Sequence, residues 1–173
     1  MTRLAVIAAC CALGAGAVGA ASSSSALPRC KAAQLKLTGS LQGATQSLLG
    51  TLTVTNRAAQ ACALPIAPRR VTLRIGTQVL PTLTARMSPA MEPPGLPTRK
   101  LPARERVFVG IQWRNWCGRP RGRVRLSVEL TIYNATPRTP VGRVRTPVCV
   151  DHKHSSRVAI SRFHRVSVTL TGR

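Results

Sequence analysis

"VRLSVELTIY", residues 124–133, alternates without a break. Val124, Leu126, Val128, Leu130 and Ile132 fall on one side, and Arg125, Ser127, Glu129, Thr131 and Tyr133 on the other. Side chains of a strand point to opposite faces in turn, whereas a helix repeats every 3.6 residues. The stretch therefore reads as a strand with one face on a core and the other in water. The same period recurs along the chain. "VTLRI" aligns Val71, Leu73 and Ile75, and "VFVGIQW" aligns Val107, Val109, Ile111 and Trp113. "LLGTLTVTN" places Leu48, Leu52 and Val54 inside and Thr51, Thr53 and Thr55 outside. "LKL" at 35–37 and "VSVTL" at 166–170 add two shorter runs. Turn formers (Asn56, Gly76, Gly118 with Pro120, Asn134 with Pro137) separate them. Seven or eight such strands, with no helical period after the N-terminus, predict an all-β antiparallel sandwich.

Upstream of the first stretch lies "WCGRPRGRVRL", residues 116–126. It admits two readings. One is a nucleic-acid grip, with Trp116 to stack on a base and Arg119, Arg121, Arg123 and Arg125 to hold phosphates. The other is a disulfide-anchored turn entering a strand. The alternation favours the second: Arg123 and Arg125 interleave with Val124 and Leu126, so their charged heads lie on the wet face without needing a ligand. Arg143 and Arg145 join them on one basic sheet face if the strand at 123–133 and the segment at 141–145 pair as a hairpin.

Charge sets the class of partner. The chain carries 26 basic residues, 22 of them Arg, against four acids: Glu92, Glu105, Glu129 and Asp151. A net charge of +22 attracts polyanions such as wall polymers, anionic lipid or nucleic acid. Single-strand binders use several aromatic platforms. This chain has only Phe108, Trp113, Trp116, Tyr133 and Phe163, which weakens that option.

The N-terminus reads as an export signal. A basic start at Arg3, an apolar run from Leu4 to about Ala21 and a Ser-rich tract ending at Ala26 have that layout. Cleavage is expected after Ala20, Ala21 or Ala26. An uncleaved anchor and lipidation at Cys10 are the alternatives. Residues 1–26 are thus a signal and Ser-rich region, and 27–173 a single sandwich domain. Cleavage removes Cys10 and Cys11 and leaves Cys30, Cys62, Cys117 and Cys149. An even count in an exported chain implies two disulfides, with three possible connectivities. Cys30–Cys62 with Cys117–Cys149 is favoured because it joins sequence neighbours. Each loop, of about thirty residues, contributes roughly 3–4 kcal/mol by restricting the unfolded chain.

Catalytic chemistry is not visible. The acids are scattered, and no nucleophile elbow or Cys–His layout occurs. No enzyme activity and no cofactor are expected. The best small-ligand motif is "DHKH" at 151–154, where His152 and His154 on an extended segment could chelate Cu(II), with Met87 and Met91 as soft ligands for Cu(I). The plain alternative is a polar loop after Cys149. Residues 85–106, with five prolines and no alternation, read as a solvated crossover or a functional loop.

The order of these features resembles an uncharacterised family of exported envelope domains common in actinobacteria. The resemblance rests on Cys30 after the Ser-rich linker, and on Thr55, Asn56, Cys62 and Leu64 in "LTVTNRAAQACAL". It continues with Leu101, Pro102 and Trp113 in "LPARERVFVGIQW", then Cys117, Cys149 and "VAISRF". Where the family often has a Gly and an aromatic before Pro68, this chain has Ile66 and Ala67. The resemblance implies a secreted, disulfide-bonded, immunoglobulin-like sandwich with no known catalytic residues. Together these readings predict a non-enzymatic envelope module that meets an anionic wall polymer, lipid or protein partner. An extracellular nucleic-acid binder and a copper-binding sandwich are the alternatives.

Overall fold

The structure, a computed structural model, describes residues 26–165. The proposed signal, with Cys10 and Cys11, and the strand expected at 166–170 lie outside the described residues. Among the described residues thirteen strands follow one another, with two short 3-10 turns (Ala32–Gln34 and Pro89–Met91) among them. The first five are β1 (Leu35–Ala44), β2 (Ser47–Asn56), β3 (Cys62–Ala63), β4 (Arg70–Ile75) and β5 (Gln78–Val79). Next come β6 (Leu83–Arg86), β7 (Leu96–Pro97), β8 (Lys100–Leu101) and β9 (Arg106–Arg114). The last are β10 (Arg123–Thr131), β11 (Arg138–Arg145), β12 (Arg157–Ile160) and β13 (His164–Arg165). No α-helix occurs among the described residues, and none of their helices is long and apolar enough to cross a membrane.

Two main sheets form. The larger runs β1-β2-β9-β12-β6, with β13 and β7 added beside β9. The smaller runs β11-β10-β4-β5. Pairing is antiparallel throughout, except that β12 and β6 run parallel. The period-two residues do what their spacing dictates. Leu48, Leu52, Val54, Val107, Val109, Ile111 and Trp113 from the larger sheet meet Val71, Leu73, Leu126, Val128 and Leu130 from the smaller in one continuous core. At one side of the core, Thr84 on β6 reaches β4 of the other sheet. Its hydroxyl accepts from the Val71 N–H and donates to the Val71 carbonyl, so that stretch of sheet edge is not left unpaired.

Both disulfides are present: Cys30–Cys62 and Cys117–Cys149, each spanning 32 residues. They point to an oxidising compartment. Cys30 and Cys62 are buried in the core, while the second bond is only half-buried.

The segment 85–106 is neither a free loop nor a simple crossover. It supplies part of β6 and all of β7 and β8, and it straps the outer face of the larger sheet. Val109 and Ile111 point into the core, so Gly110 between them faces outward. There Pro93 and Met87 pack so closely that a Cβ on Gly110 would lie 2.8 Å from Pro93 Cδ and 3.2 Å from Met87 Sδ. The Met87 N–H donates to Ile160 O, and the Thr98 N–H to Phe163 O. Two-residue strands and backbone contacts of this kind leave no periodic mark in a sequence.

Candidate anion-binding surface

Trp116 is 2% exposed. Its ring nitrogen donates to Pro120 O at 2.8 Å, and its ring lies 5.6 Å from that of Trp113. The turn from Cys117 to Pro120 folds over it so tightly that a Cβ on Gly118 would come within 2.7 Å of the indole. Trp116 therefore floors the turn and offers no face to a base. Trp113 and Phe163 are also buried. Tyr133 and Phe108 are half-buried, and each has an arginine over its ring (Arg29 at 5.0 Å, Arg106 at 5.9 Å). No aromatic platform of the kind single-stranded nucleic acid needs is open among the described residues.

The hairpin expected from the basic residues forms. β10 pairs with β11, and the register sets Arg123 opposite Arg145 and Arg125 opposite Arg143. All four are exposed, alternating with buried Val124, Leu126 and Val144. Directly opposed like charges on a sheet are destabilising in themselves. Arg119 and Arg121 lie on the turn leading into β10, where Arg121 donates to Cys117 O. Sequence reading missed the continuation of this face. On β4, Arg74 and Arg70 stand opposite Ser127 and Thr131, and on β11 Arg138 stands opposite Glu129. Only the register across three strands brings them together.

All four acids lie among the described residues, and each meets a base. Arg74 Nε sits 3.4 Å from Glu129, close but not aligned as a hydrogen bond. Glu105 pairs with Arg165. Glu92, on the strap, receives the Arg162 guanidinium through Nε and Nη2 at 3.0 and 2.8 Å and the Arg162 N–H at 3.2 Å. His164 Nε2 lies 3.2 Å away, again without hydrogen-bond alignment. Burial on its own would raise the Glu92 carboxyl; the Arg162 donors, and the charges of Arg162 and His164, outweigh it and hold the group below the ordinary carboxylate range. Asp151 is lowered too, by the Lys153 N–H first and by His154 second.

The DHKH segment does not assemble as a chelate. His154 turns Nδ1 to the Asp151 carboxylate. His152 instead converges with Cys117 and Cys149 to within 4.8 Å, and both sulfurs are committed to the disulfide. Met87 is buried against Gly110, whereas Met91 is 47% exposed on the 3-10 turn. The segment is held by Asn115, missed from sequence, which sits in the left-handed region at φ 55°. Its amide donates to Asp151 O and His154 O, and its oxygen accepts from the Val150 and Asp151 N–H groups, all between 2.8 and 3.0 Å.

Comparison of the chain with protein-family models, curated proteins and solved structures finds no match.

Proposed function

We propose that this protein is a secreted, non-enzymatic module of the cell envelope whose arginine face binds an anionic envelope component, with an immunoglobulin-like sandwich as scaffold. The observation that carries the reading is the two opposed arginine pairs, Arg123 with Arg145 and Arg125 with Arg143, with no acid among them. A surface that sets like charges in register gains most when an external anion comes between them. The disulfides, the export-like N-terminus and the resemblance to actinobacterial envelope domains support the location. A wall polymer or lipid headgroup fits better than nucleic acid, because the aromatic rings are covered and only charge is left to hold a base-bearing chain.

The test is retention on purified cell wall, anionic vesicles and heparin across a salt series. The wild-type chain is expected to elute later than the variant Arg123→Ser/Arg125→Ser/Arg143→Ser/Arg145→Ser on at least one matrix, with the gap closing as salt rises. Equal elution of the two chains would remove this face from the function. DNA binding tighter than heparin binding at equal charge density would favour the nucleic-acid reading instead.

A further inference from the structure

A second basic site lies away from the ladder. At one end of the larger sheet, the β1–β2 turn, the end of β9 and the segment 150–157 enclose a cleft of about 530 Å³. That is within the range of about 300–1,000 Å³ usual for small-molecule sites. Arg114 on β9 and Arg157 on β12 both line it, and they are direct cross-strand partners. Partners in register hold their Cβ atoms about 5 Å apart, so the two guanidiniums can close on one group. Among the described residues neither makes an ion pair or a side-chain hydrogen bond. Beside them, Gln112 and Ser47, 8% and 7% exposed, line the same cleft.

The cleft's one acid forms no ion pair with these arginines. Asp151 is already engaged, by the Lys153 N–H at one oxygen and by His154 Nδ1 at the other. Asn115 and the Cys117–Cys149 bond fix the wall that carries these groups, so the site is formed before anything binds.

We propose that this cleft binds the phosphate monoester of a small, sugar-sized molecule. Two adjacent guanidiniums match a group with close to two negative charges and three acceptor oxygens, and each can bind it through two N–H groups. The volume leaves room beyond the phosphate, and Val150 lends an apolar surface to the body of the ligand. The inference does not depend on the arginine ladder, and either can fail alone.

The test is an NMR titration of the intact, disulfide-bonded chain with ribose 5-phosphate, ribose and dimethyl phosphate, following the Gln112 side-chain amide. Ribose 5-phosphate is expected to shift it saturably, and the other two are not. Arg114→Gln or Arg157→Gln should weaken that binding about tenfold or more, Arg114→Lys several-fold, and Arg123→Gln/Arg125→Gln less than about twofold. Both cleft arginines are exposed, so folding is checked simply by unchanged near-ultraviolet dichroism from Trp113. No saturable shift with ribose 5-phosphate overturns the proposal. So does equal weakening by the ladder variant, which would mean general charge attraction, and so does binding of ribose alone.

Discussion

The strap side and the ladder side of this molecule handle the same excess of positive charge in opposite ways. Along the strap, arginine is used as a fastener. Arg162 crosses 70 residues of sequence to grip Glu92, and Arg165 takes Glu105 beside it. On the smaller sheet Arg123 stands opposite Arg145 and Arg125 opposite Arg143, and the one acid on that face, Glu129, lies further along β10. With four acids in the chain, internal pairing can satisfy only a few of the 26 basic residues. The strap consumes two of them to stabilise the fold. The ladder is left with repulsion that only solvent ions or a ligand can offset. A uniform reading of +22 as a single property therefore misses a division between structural and available charge.

The strap side should respond most to mutation. Glu92→Gln removes the carboxylate from a side chain that is 9% exposed and turns an amide NH2 toward the Arg162 donors. A loss of about 2–3 kcal/mol is expected at pH 7. The pH dependence fixes its origin. The Glu92 carboxyl is lowered in the folded chain, so its contribution is full above the unfolded carboxylate value and disappears as pH falls through the folded one. Urea midpoints of wild type and Glu92→Gln should therefore differ at pH 7 and converge in acid. A gap that stays constant with pH would mean packing, not charge, holds the strap.

Asn115→Ala should come next, at about 2 kcal/mol, since it frees two backbone N–H groups and two carbonyls of the 150–154 segment. Amide hydrogen exchange should speed up at Val150 and Asp151 while the ladder strands stay protected. If exchange rises across β10 and β11 as well, the wall of the cleft is part of the global fold and not a separately tied piece.

How much of this was readable beforehand follows from the physics of each feature. β2, β4, β9 and β10 were legible because a half-buried strand must alternate, and the buried positions are the ones that alternation picks out. The facing of Arg123 and Arg125 came with them. The hairpin with β11 was reachable from turn residues, but its register, which decides that arginine meets arginine, was not. The strap was illegible: two-residue strands such as β7 and β8 carry no period, and the fit of Pro93 on Gly110 depends on chain geometry. Arg114 with Arg157, and Asn115 with Val150, Asp151 and His154, are pairings between residues about forty apart, set by sheet order and not by any local pattern.

The smallest expected effect tests the ladder directly. Arg125→Ser/Arg143→Ser removes one opposed pair from the surface without touching the core. Glu92→Gln and Asn115→Ala lose stability, whereas this variant should gain it, by about 1–2 °C in melting temperature at low salt. At 0.1 M NaCl the screening length is about 10 Å, so added salt weakens the repulsion among these exposed charges and should raise the wild-type melting temperature and shrink the gain of the variant together. Both shifts follow from one cause, repulsion across β10 and β11. A wild-type melting temperature that falls with added salt, or a variant less stable than wild type, would mean that these arginines are already compensated within the protein and are not waiting for a ligand.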